Sequence, residues 1–193
     1  MKILAIVGSP RKNKNNEALI TNILKSLQDP TITIEKYLVS DLIVKPCIAC
    51  DACTRNLGCI FNDDMTMLYK KFNEADVVII SSPLYFNSVS AQLKSIIDRC
   101  QAIWSSKYVL NQSIIDIDKK RIGFFISTAG MPESPELFSA TIPIMDLFFK
   151  SINCEYIGNL FVPNIDAHPI IEDQETLSKA HNIGLELKKR LKG

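Results

Sequence analysis

The chain of 193 residues contains 47% hydrophobic and 22% charged residues, which is typical of a soluble globular protein with a full core. Its formal net charge of +1 gives no general case for binding nucleic acid or a membrane surface. There is no signal-peptide pattern, and no apolar run approaches the roughly 20 residues of a transmembrane helix. We therefore expect a cytoplasmic protein, in which clustered cysteines favour metal or redox chemistry over disulfides.

The first strand, loop and helix are the most informative stretch of the chain. Residues 2–7 are almost continuously apolar, as in a strand that is buried on both faces of a parallel sheet. Residues 19–27 repeat apolar side chains at helical spacing. The loop between them is rich in hydroxyl, amide and cationic groups, and the N-terminus of a helix suits a phosphate. The candidate phosphate ligands are Ser9, Arg11, Asn15 and Asn16. An ordinary strand-to-helix loop with Asn caps is the alternative.

Strand and helix patterns then alternate to the end of the chain. We predict further strands at 32–38, 76–81, 121–127 and 154–161, and helices from 63, at 90–104, from near 135 to 151, and at 174–191. Pro143 should kink or interrupt the third of these helices. Five strands with intervening helices predict an α/β fold with a doubly wound parallel sheet, either in the flavodoxin order 2-1-3-4-5 or as a Rossmann sheet. We expect one domain over residues 1–193.

Three loops are expected to meet beyond the carboxyl ends of the strands, where such sheets bind ligands. They are residues 9–16, 83–88 and 128–130. Pro83 presets a turn, and the segment that follows it can give a flat ring an apolar wall and backbone N–H groups. Tyr85 and Phe86 are otherwise ordinary surface or core aromatics. A phosphate at one end and a planar ring at the other is what flavin mononucleotide (FMN) requires.

Three segments together carry a resemblance to a known family. They are Gly8-Ser9-Pro10-Arg11-Lys12-Asn13, Ser82-Pro83-Leu84-Tyr85-Phe86 and Lys94-Ser95-Ile96-Ile97-Asp98-Arg99. From Met1 to at least Phe161, the chain resembles the NADPH-dependent FMN reductase-like flavoproteins of flavodoxin-like fold. The resemblance implies the strand order 2-1-3-4-5, FMN as cofactor, NAD(P)H as the reductant, and a homodimer or homotetramer with the flavin near the interface.

The resemblance also implies which residues contact FMN. They are Ser9, Arg11, Asn15 and Asn16 at the phosphate, Pro83, Leu84, Tyr85, Phe86 and Asn87 along the isoalloxazine, and Ser127, Thr128, Ala129 and Gly130 beside it. Family members often have Gly where Lys14 stands and Ser or Thr where Asn16 stands. The helix that carries Asp98 and Arg99 is then a candidate interface element, with a solvated charge pair as the alternative.

A loop at about 46–62 contains four closely spaced cysteines, Cys47, Cys50, Cys53 and Cys59. Four thiolates in one short loop can bind an iron–sulfur cluster. The spacing resembles the compact motif of the iron-sulfur flavoproteins, a branch of the same family that carries a [4Fe–4S] cluster beside each FMN. The alternatives are a tetrahedral zinc site, although zinc ribbons separate their cysteine pairs, and a loop that binds no metal. Cys100 and Cys154 are expected to be core thiols.

The implied chemistry is hydride transfer from NAD(P)H to the flavin, for which no acid or base residue is required, and no catalytic residue is assigned. Three functions remain open. The first is an FMN-dependent oxidoreductase or electron-transfer flavoprotein with a [4Fe–4S] cluster. The second is an NAD(P)H-dependent FMN, quinone or nitro reductase without a cluster, and the third is a non-catalytic, flavodoxin-like electron carrier. The expected partner is a small-molecule or protein electron donor or acceptor.

Overall fold

The computed structural model describes residues 1–192 and is built on a five-stranded parallel sheet. The strands are β1 (Lys2–Val7), β2 (Thr33–Leu38), β3 (Val77–Pro83), β4 (Ile122–Thr128) and β5 (Glu155–Val162). Their order is β2-β1-β3-β4-β5, and every adjacent pair is parallel. This confirms the flavodoxin order and excludes the Rossmann alternative.

Within residues 1–192, six α-helices cover the two faces of the sheet. They are α1 (Asn15–Leu27), α2 (Asp64–Glu74), α3 (Ala91–Arg99), α4 (Gln101–Tyr108), α5 (Thr141–Ser151) and α6 (Gln174–Lys192). Helices α1 and α6 pack on one face, and α2 to α5 pack on the other. Successive residues of β1 alternate between the two apolar cores: Ile3 belongs to the first and Leu4 to the second. Because helices cover both faces of the sheet, side chains on both sides of β1 are buried, which explains why its sequence is almost continuously apolar. Over residues 1–192, no helix is both long and apolar enough to cross a membrane.

Three predicted boundaries were wrong. The helix expected at 90–104 is two helices, which meet at Cys100. The helix expected from near Pro135 begins only at Thr141, so Pro143 lies in its first turn. N–H groups in the first turn form no intrahelical hydrogen bond, so a proline there does not interrupt the helix. Pro83, expected in a loop, is the last residue of β3 and pairs with Thr128. Strand β3 therefore extends to the first residue of the predicted ligand loop 83–88.

Gly8 sets how closely the first loop approaches the third strand. Its N–H donates to the Ser81 carbonyl at 2.6 Å, and a Cβ at this position would collide with that carbonyl and with the Leu93 side chain. The hydroxyl of Ser90, the N-cap residue of α3, donates to the Gly8 carbonyl. The loop after β1 and the start of α3 are thereby held together at the carboxyl edge of the sheet.

Candidate functional site

A cavity of about 330 Å³ opens at the carboxyl ends of β1, β3 and β4, and we call it the flavin cavity. Its lining residues are Ser9, Arg11, Lys14, Asn15, Asn16, Pro83, Leu84, Tyr85, Thr128, Gly130, Met131, Ile165 and Asp166. Most of the residues predicted for FMN are therefore brought together in one place. The volume lies within the range of pockets that bind small molecules.

Two of the predicted ring contacts, Phe86 and Asn87, do not line the flavin cavity. Both have positive φ angles, 49° and 59°, and they form the tight turn between the bridged residues Tyr85 and Ser88. This is the geometry of a two-residue hairpin turn. As a result the Phe86 side chain projects fully into solvent instead of forming a wall of the cavity.

Ser127 and Ala129 also lie outside the cavity lining, although their neighbours Thr128 and Gly130 belong to it. Ser127 is fully buried and donates from its hydroxyl to the Ser82 carbonyl at 3.2 Å. Ala129 is buried and donates its N–H to the Val162 carbonyl at 3.0 Å. The Ser127 hydroxyl and the Ala129 N–H therefore hold the end of β4 against β3 and β5.

Ile165 and Asp166, which the sequence analysis did not single out, complete the cavity from the segment that follows β5. The Ile165 N–H donates to the Ala129 carbonyl at 3.0 Å, and the Ile170 N–H donates to Asn15 Oδ1 at 3.1 Å. Because β5 lies beside β4, the predicted strand order already placed this segment next to the 128–130 turn. The strand order was the signal that could have found these residues.

The end of the cavity at α1 is suited to an anion. Unlike α2 and α3, helix α1 receives no side-chain cap from residues 1–192, so its first N–H groups keep no intrahelical partner. Arg11 and Lys14 add positive charge. Glu17, in the first turn of α1, accepts hydrogen bonds from Lys36 and from the Asn13 N–H, both at 2.7 Å. The bond from Lys36 is the largest cause of the lowered pKa of Glu17, whose charge is compensated outside the cavity.

The amide of Asn16 is buried in this wall with one atom unpaired. Its Nδ2 donates to Thr128 Oγ1 at 2.8 Å, whereas Oδ1 has no partner in the described part of the chain. A half-turn of the amide would keep the bond, with the Thr128 hydroxyl as donor, and would offer an NH₂ group where the unpaired oxygen stands. An anion that accepts a hydrogen bond from this NH₂ group would give both polar atoms of the Asn16 amide a partner. The residues at this end of the cavity therefore fit a phosphate.

The other two predicted phosphate ligands are partly engaged within the protein. Ser9 Oγ accepts from the Arg11 N–H at 3.1 Å and donates to the Arg11 carbonyl at 3.2 Å, which closes the turn on itself. Asn15 uses Oδ1 to accept from Ile170, which leaves the donor side of its amide for a ligand. The loop is thus shaped by its own hydroxyl and amide groups before any ligand binds.

The four cysteines of the motif line a second cavity, of about 40 Å³, which we call the cysteine cavity. Cys47 and Cys50 are exposed, Cys53 and Cys59 are half-buried, and all four are free thiols. Ala49 and Asp51 have positive φ angles of 52° and 55°, so the chain reverses tightly between successive cysteines. In residues 1–192, no three Cys, His, Asp or Glu side chains are arranged as a set of metal ligands. The loop gathers the cysteines without fixing their sulfur atoms in a coordination geometry.

The two remaining cysteines are core thiols, as expected. Cys100 and Cys154 are buried in the core on the α2–α5 side of the sheet. Burial raises the pKa of both thiols, and that of Cys154 reaches about 12. A thiol with so high a pKa stays protonated and unreactive.

Arg99 also lines the cysteine cavity, and it is buried instead of solvated. Its two Nη atoms donate to both oxygens of Asp63, at 2.8 and 3.1 Å, and Nη1 also donates to the Lys45 carbonyl at 2.8 Å. Burial alone would raise the pKa of Asp63, but the hydrogen bonds from Arg99 and from backbone N–H groups outweigh it and lower this pKa. The solvated Asp98–Arg99 pair was wrong: Asp98 pairs with Lys94.

The flavin cavity and the cysteine cavity share no lining residue within the described chain. They are connected by α3, which starts beside the loop of the flavin cavity at Ser90 and ends at Arg99. At a rise of about 1.5 Å per residue, the helix separates its two ends by roughly 14 Å. Within one chain, the length of α3 therefore determines how far apart the two cavities lie.

A larger cavity, of about 930 Å³, lies at the opposite, amino-terminal end of the strands. Several of its cationic side chains already have partners: Lys119 pairs with Asp76 at 2.8 Å, and Lys107 donates to the Lys150 carbonyl at 3.0 Å. Parallel sheets bind their ligands at the carboxyl ends of the strands. Size alone therefore does not make this cavity the better candidate.

Comparison with known proteins agrees with the site described above. The profile of the family NADPH-dependent FMN reductase matches residues 1–136. The iron-sulfur flavoprotein of Methanosarcina thermophila is 33% identical over 130 residues, which are 67% of this chain and 64% of that protein. The chain thus spans less than two thirds of the length of this relative.

Solved structures show the same fold at low sequence identity. An NAD(P)H:quinone oxidoreductase from Methanothermobacter marburgensis superposes with a TM-score of 0.75 at 16% identity, over 97% of this chain and 96% of that one. An FMN-dependent NADH-azoreductase from Bacillus anthracis, solved in complex with FMN, gives a TM-score of 0.72 at 17% identity over the full length of both chains. With its sheet order, its carboxyl-edge cavity and the family match, the chain belongs to the NADPH-dependent FMN reductase family.

Proposed function

We propose that this chain is an FMN-dependent oxidoreductase that transfers electrons and binds a [4Fe–4S] cluster through Cys47, Cys50, Cys53 and Cys59. The single observation that supports FMN most directly is the flavin cavity, where an uncapped helix N-terminus and the unpaired amide atom of Asn16 lie at the carboxyl edge of the sheet. Family membership supports the same cofactor.

Each part of the flavin cavity has a role in this proposal. The N-terminal N–H groups of α1, with Arg11 and Asn16, bind the phosphate. Pro83, Leu84 and Tyr85 form the apolar wall for the ring. When bound, FMN supplies the redox chemistry itself, whereas the protein orients it and leaves one ring face open to a reductant. The described chain then needs no acid or base residue beside the ring.

The proposed cluster is supported by the chemistry of the cysteine cavity and by the name of the Methanosarcina thermophila relative. Four free thiols on one loop are the donor set that iron–sulfur clusters use. At about 40 Å³ the cysteine cavity is much smaller than the flavin cavity of about 330 Å³. Cys47 and Cys50 are exposed on its rim, so their thiols are accessible to a cluster that is assembled from solution.

Further parts of the proposal concern the surroundings of the site. NAD(P)H is the proposed reductant, and a small molecule or a protein is the proposed electron partner. A homodimer or homotetramer in the cytoplasm, with residues 1–193 as one FMN-binding domain, is the proposed form of the protein. The exposed side chain of Phe86 beside the flavin cavity is available to such an assembly.

A second candidate is an NAD(P)H-dependent FMN, quinone or nitro reductase without a cluster. The observation that favours it is that the cysteine side chains within residues 1–192 are not arranged as metal ligands. A flavodoxin-like electron carrier is the third candidate. It needs the same flavin cavity but no reaction with a nicotinamide.

One preparation distinguishes these candidates. The protein is purified without oxygen, reconstituted with FMN, iron and sulfide, and analysed for flavin, iron, acid-labile sulfide and visible absorption. The proposal predicts FMN and a cluster together. FMN without iron would support the second candidate, and folded protein that binds no FMN would overturn all three. Rapid loss of flavin absorbance on mixing with NADH or NADPH would exclude a pure carrier.

A further inference from the structure

The Nε atom of Arg99 is a buried hydrogen-bond donor that has no acceptor within residues 1–192. The residue is 2% exposed, and its Nη atoms contact Asp63 and the Lys45 carbonyl. Its Nε–H is buried and has no acceptor in the described chain. A buried donor of a charged group without an acceptor is costly, so this N–H calls for an explanation.

The contacts of the guanidinium determine which of its edges remains available. Asp63 binds the two Nη atoms, and the Phe61 ring centre lies 5.0 Å from Cζ. Because the guanidinium is planar and its donors form a rigid fork, a carboxylate held by both Nη atoms leaves the Nε edge for another acceptor. Arg99 is at the same time part of the wall of the cysteine cavity.

The acceptors that the cysteine cavity can provide are mainly sulfur atoms. The carboxylates that line it within residues 1–192 belong to Asp51, which is exposed on the loop, and to Asp98, which pairs with Lys94 at 2.6 Å. The remaining side chains of the lining, apart from Gln101 and the cysteines, are apolar. Besides the Gln101 carbonyl and backbone carbonyls, the acceptor that this cavity can offer to Nε–H is a thiolate or sulfide of a group held by the four cysteines.

We propose that Arg99 donates its Nε–H to a sulfur of the group bound by the four cysteines and raises the reduction potential of that group. This inference rests on the proposed cluster. Reduction adds negative charge, which a fixed cation and an N–H···S hydrogen bond stabilise more in the reduced than in the oxidised form. The Asp63 carboxylate opposes this effect, because it compensates part of the guanidinium charge.

The test is a redox titration of the reconstituted protein, followed by electron paramagnetic resonance of the reduced cluster. Three variants are compared with the unmodified chain: Arg99→Lys, Asp63→Asn, and the double variant Asp63→Asn with Arg99→Met. Asn is a good N-cap residue, so Asp63→Asn keeps the cap of α2. The double variant removes both charges, so that no unpaired charge is left buried.

The proposal predicts opposite signs for the two partners of the ion pair. Asp63→Asn should raise the midpoint potential, and Arg99→Lys should lower it because the Nε–H is lost. The midpoint potential of the double variant should lie about 59 mV below that of Asp63→Asn, which corresponds to about a tenfold change in the one-electron equilibrium constant. Lys70→Met is the control: it removes an exposed cation that does not line the cysteine cavity and that solvent screens, and it should leave the potential unchanged.

Several results would overturn the inference. If Arg99→Lys and the double variant keep FMN and iron but titrate at the potential of the unmodified chain, Arg99 does not tune the cluster. If both lose iron while they keep FMN, Arg99 is needed to fold the loop instead of to set a potential. If the unmodified chain itself contains no iron or sulfide after reconstitution, the proposed cluster is refuted, and the inference about Arg99 is refuted with it.

Discussion

Asn16 and Thr128 are joined by a buried hydrogen bond of 2.8 Å between Nδ2 and Oγ1, although 112 residues separate them in the chain. The bond connects the N-terminus of α1 to the end of β4, across two walls of the flavin cavity. Because Asn16 Oδ1 is left without a partner, the amide is the most sensitive point of the proposed phosphate site.

Asn16→Asp should weaken FMN binding strongly. A carboxylate can still accept from the Thr128 hydroxyl, but it has no N–H to donate and it repels the phosphate. Loss of a hydrogen bond to a charged group costs about 1.5–3 kcal/mol, so the Kd should rise by at least about tenfold. Flavin fluorescence titration measures it. Asn22→Asp is the matched control, because Asn22 lies on α1 outside the cavity and its side chain donates to the Ala18 carbonyl. An equal loss of FMN affinity in this variant would contradict the assignment of Asn16.

Arg11→Ala should also weaken FMN binding, by about tenfold, because a charge-assisted contact to the phosphate is lost from an exposed side chain. Lys12→Ala is a matched control with the same change of charge. Lys12 is the next residue in the loop, but it pairs with Asp41 and does not line the cavity. Titration of both variants at several salt concentrations tests the difference. Equal affinities for FMN in the two variants would remove Arg11 from the site.

Gly8→Ala should lower the free energy of unfolding by about 3 kcal/mol, at the upper end of the usual cost of overpacking. The added Cβ would collide with the Ser81 carbonyl, which is backbone of a central strand and cannot move aside. Gly130→Ala is the instructive comparison, because its Cβ would meet the Asp166 carboxylate, the end of an exposed side chain that can rotate. Urea unfolding of the two variants should therefore differ clearly, and similar values would show that the β1 loop is more adaptable than its contacts indicate.

The parts of the fold that could be predicted are those that depend on local apolar patterns. The run 77–80 is buried on both sides, so its strand character was evident from the sequence alone. The pairing of Arg99 could not be predicted in this way. The sequence offered Asp98 as its neighbour, but adjacent residues on a helix do not face each other, and the true partner, Asp63, is 36 residues away.

The candidate site was predicted where loops carry polar motifs and missed where they do not. Arg11 and Asn16 belong to a recognisable loop, whereas Ile165 and Asp166 belong to a segment without any motif and reach the cavity only because β5 lies beside β4. Phe86 was assigned to the flavin ring through the resemblance to the family, but the positive φ angles of the turn direct its side chain to solvent. Backbone geometry of this kind leaves no periodic signal in a sequence.

Cys50→Ala should abolish iron binding and leave FMN binding intact, since the cysteine cavity and the flavin cavity share no residue in the described chain. Iron, sulfide and flavin are measured after anaerobic reconstitution. Cys154→Ala is the control for the loss of a thiol: this residue is buried in the core, and its replacement should lower stability by about 1 kcal/mol without loss of iron. Iron retained by the Cys50 variant would mean that the ligand set is wrong.

The Asp63–Arg99 ion pair should make the protein less stable in acid. The pKa of Asp63 is held below its ordinary value of 3.8, so the carboxylate stabilises the fold above that value, and this contribution is lost as the pH falls through the lowered pKa. Asp63→Asn should be less stable than the unmodified chain at pH 7, and the difference between their free energies of unfolding should shrink below about pH 4.

Urea unfolding at a series of pH values measures this difference. Asp98→Asn is the matched control, because it neutralises a half-exposed carboxylate that pairs with Lys94. An exposed ion pair of this kind contributes about 0–1 kcal/mol, so its curve should stay close to that of the unmodified chain at every pH. If the Asp63→Asn curve stayed parallel to that of the unmodified chain down to the lowest pH, the carboxylate would not be the acid-sensitive group.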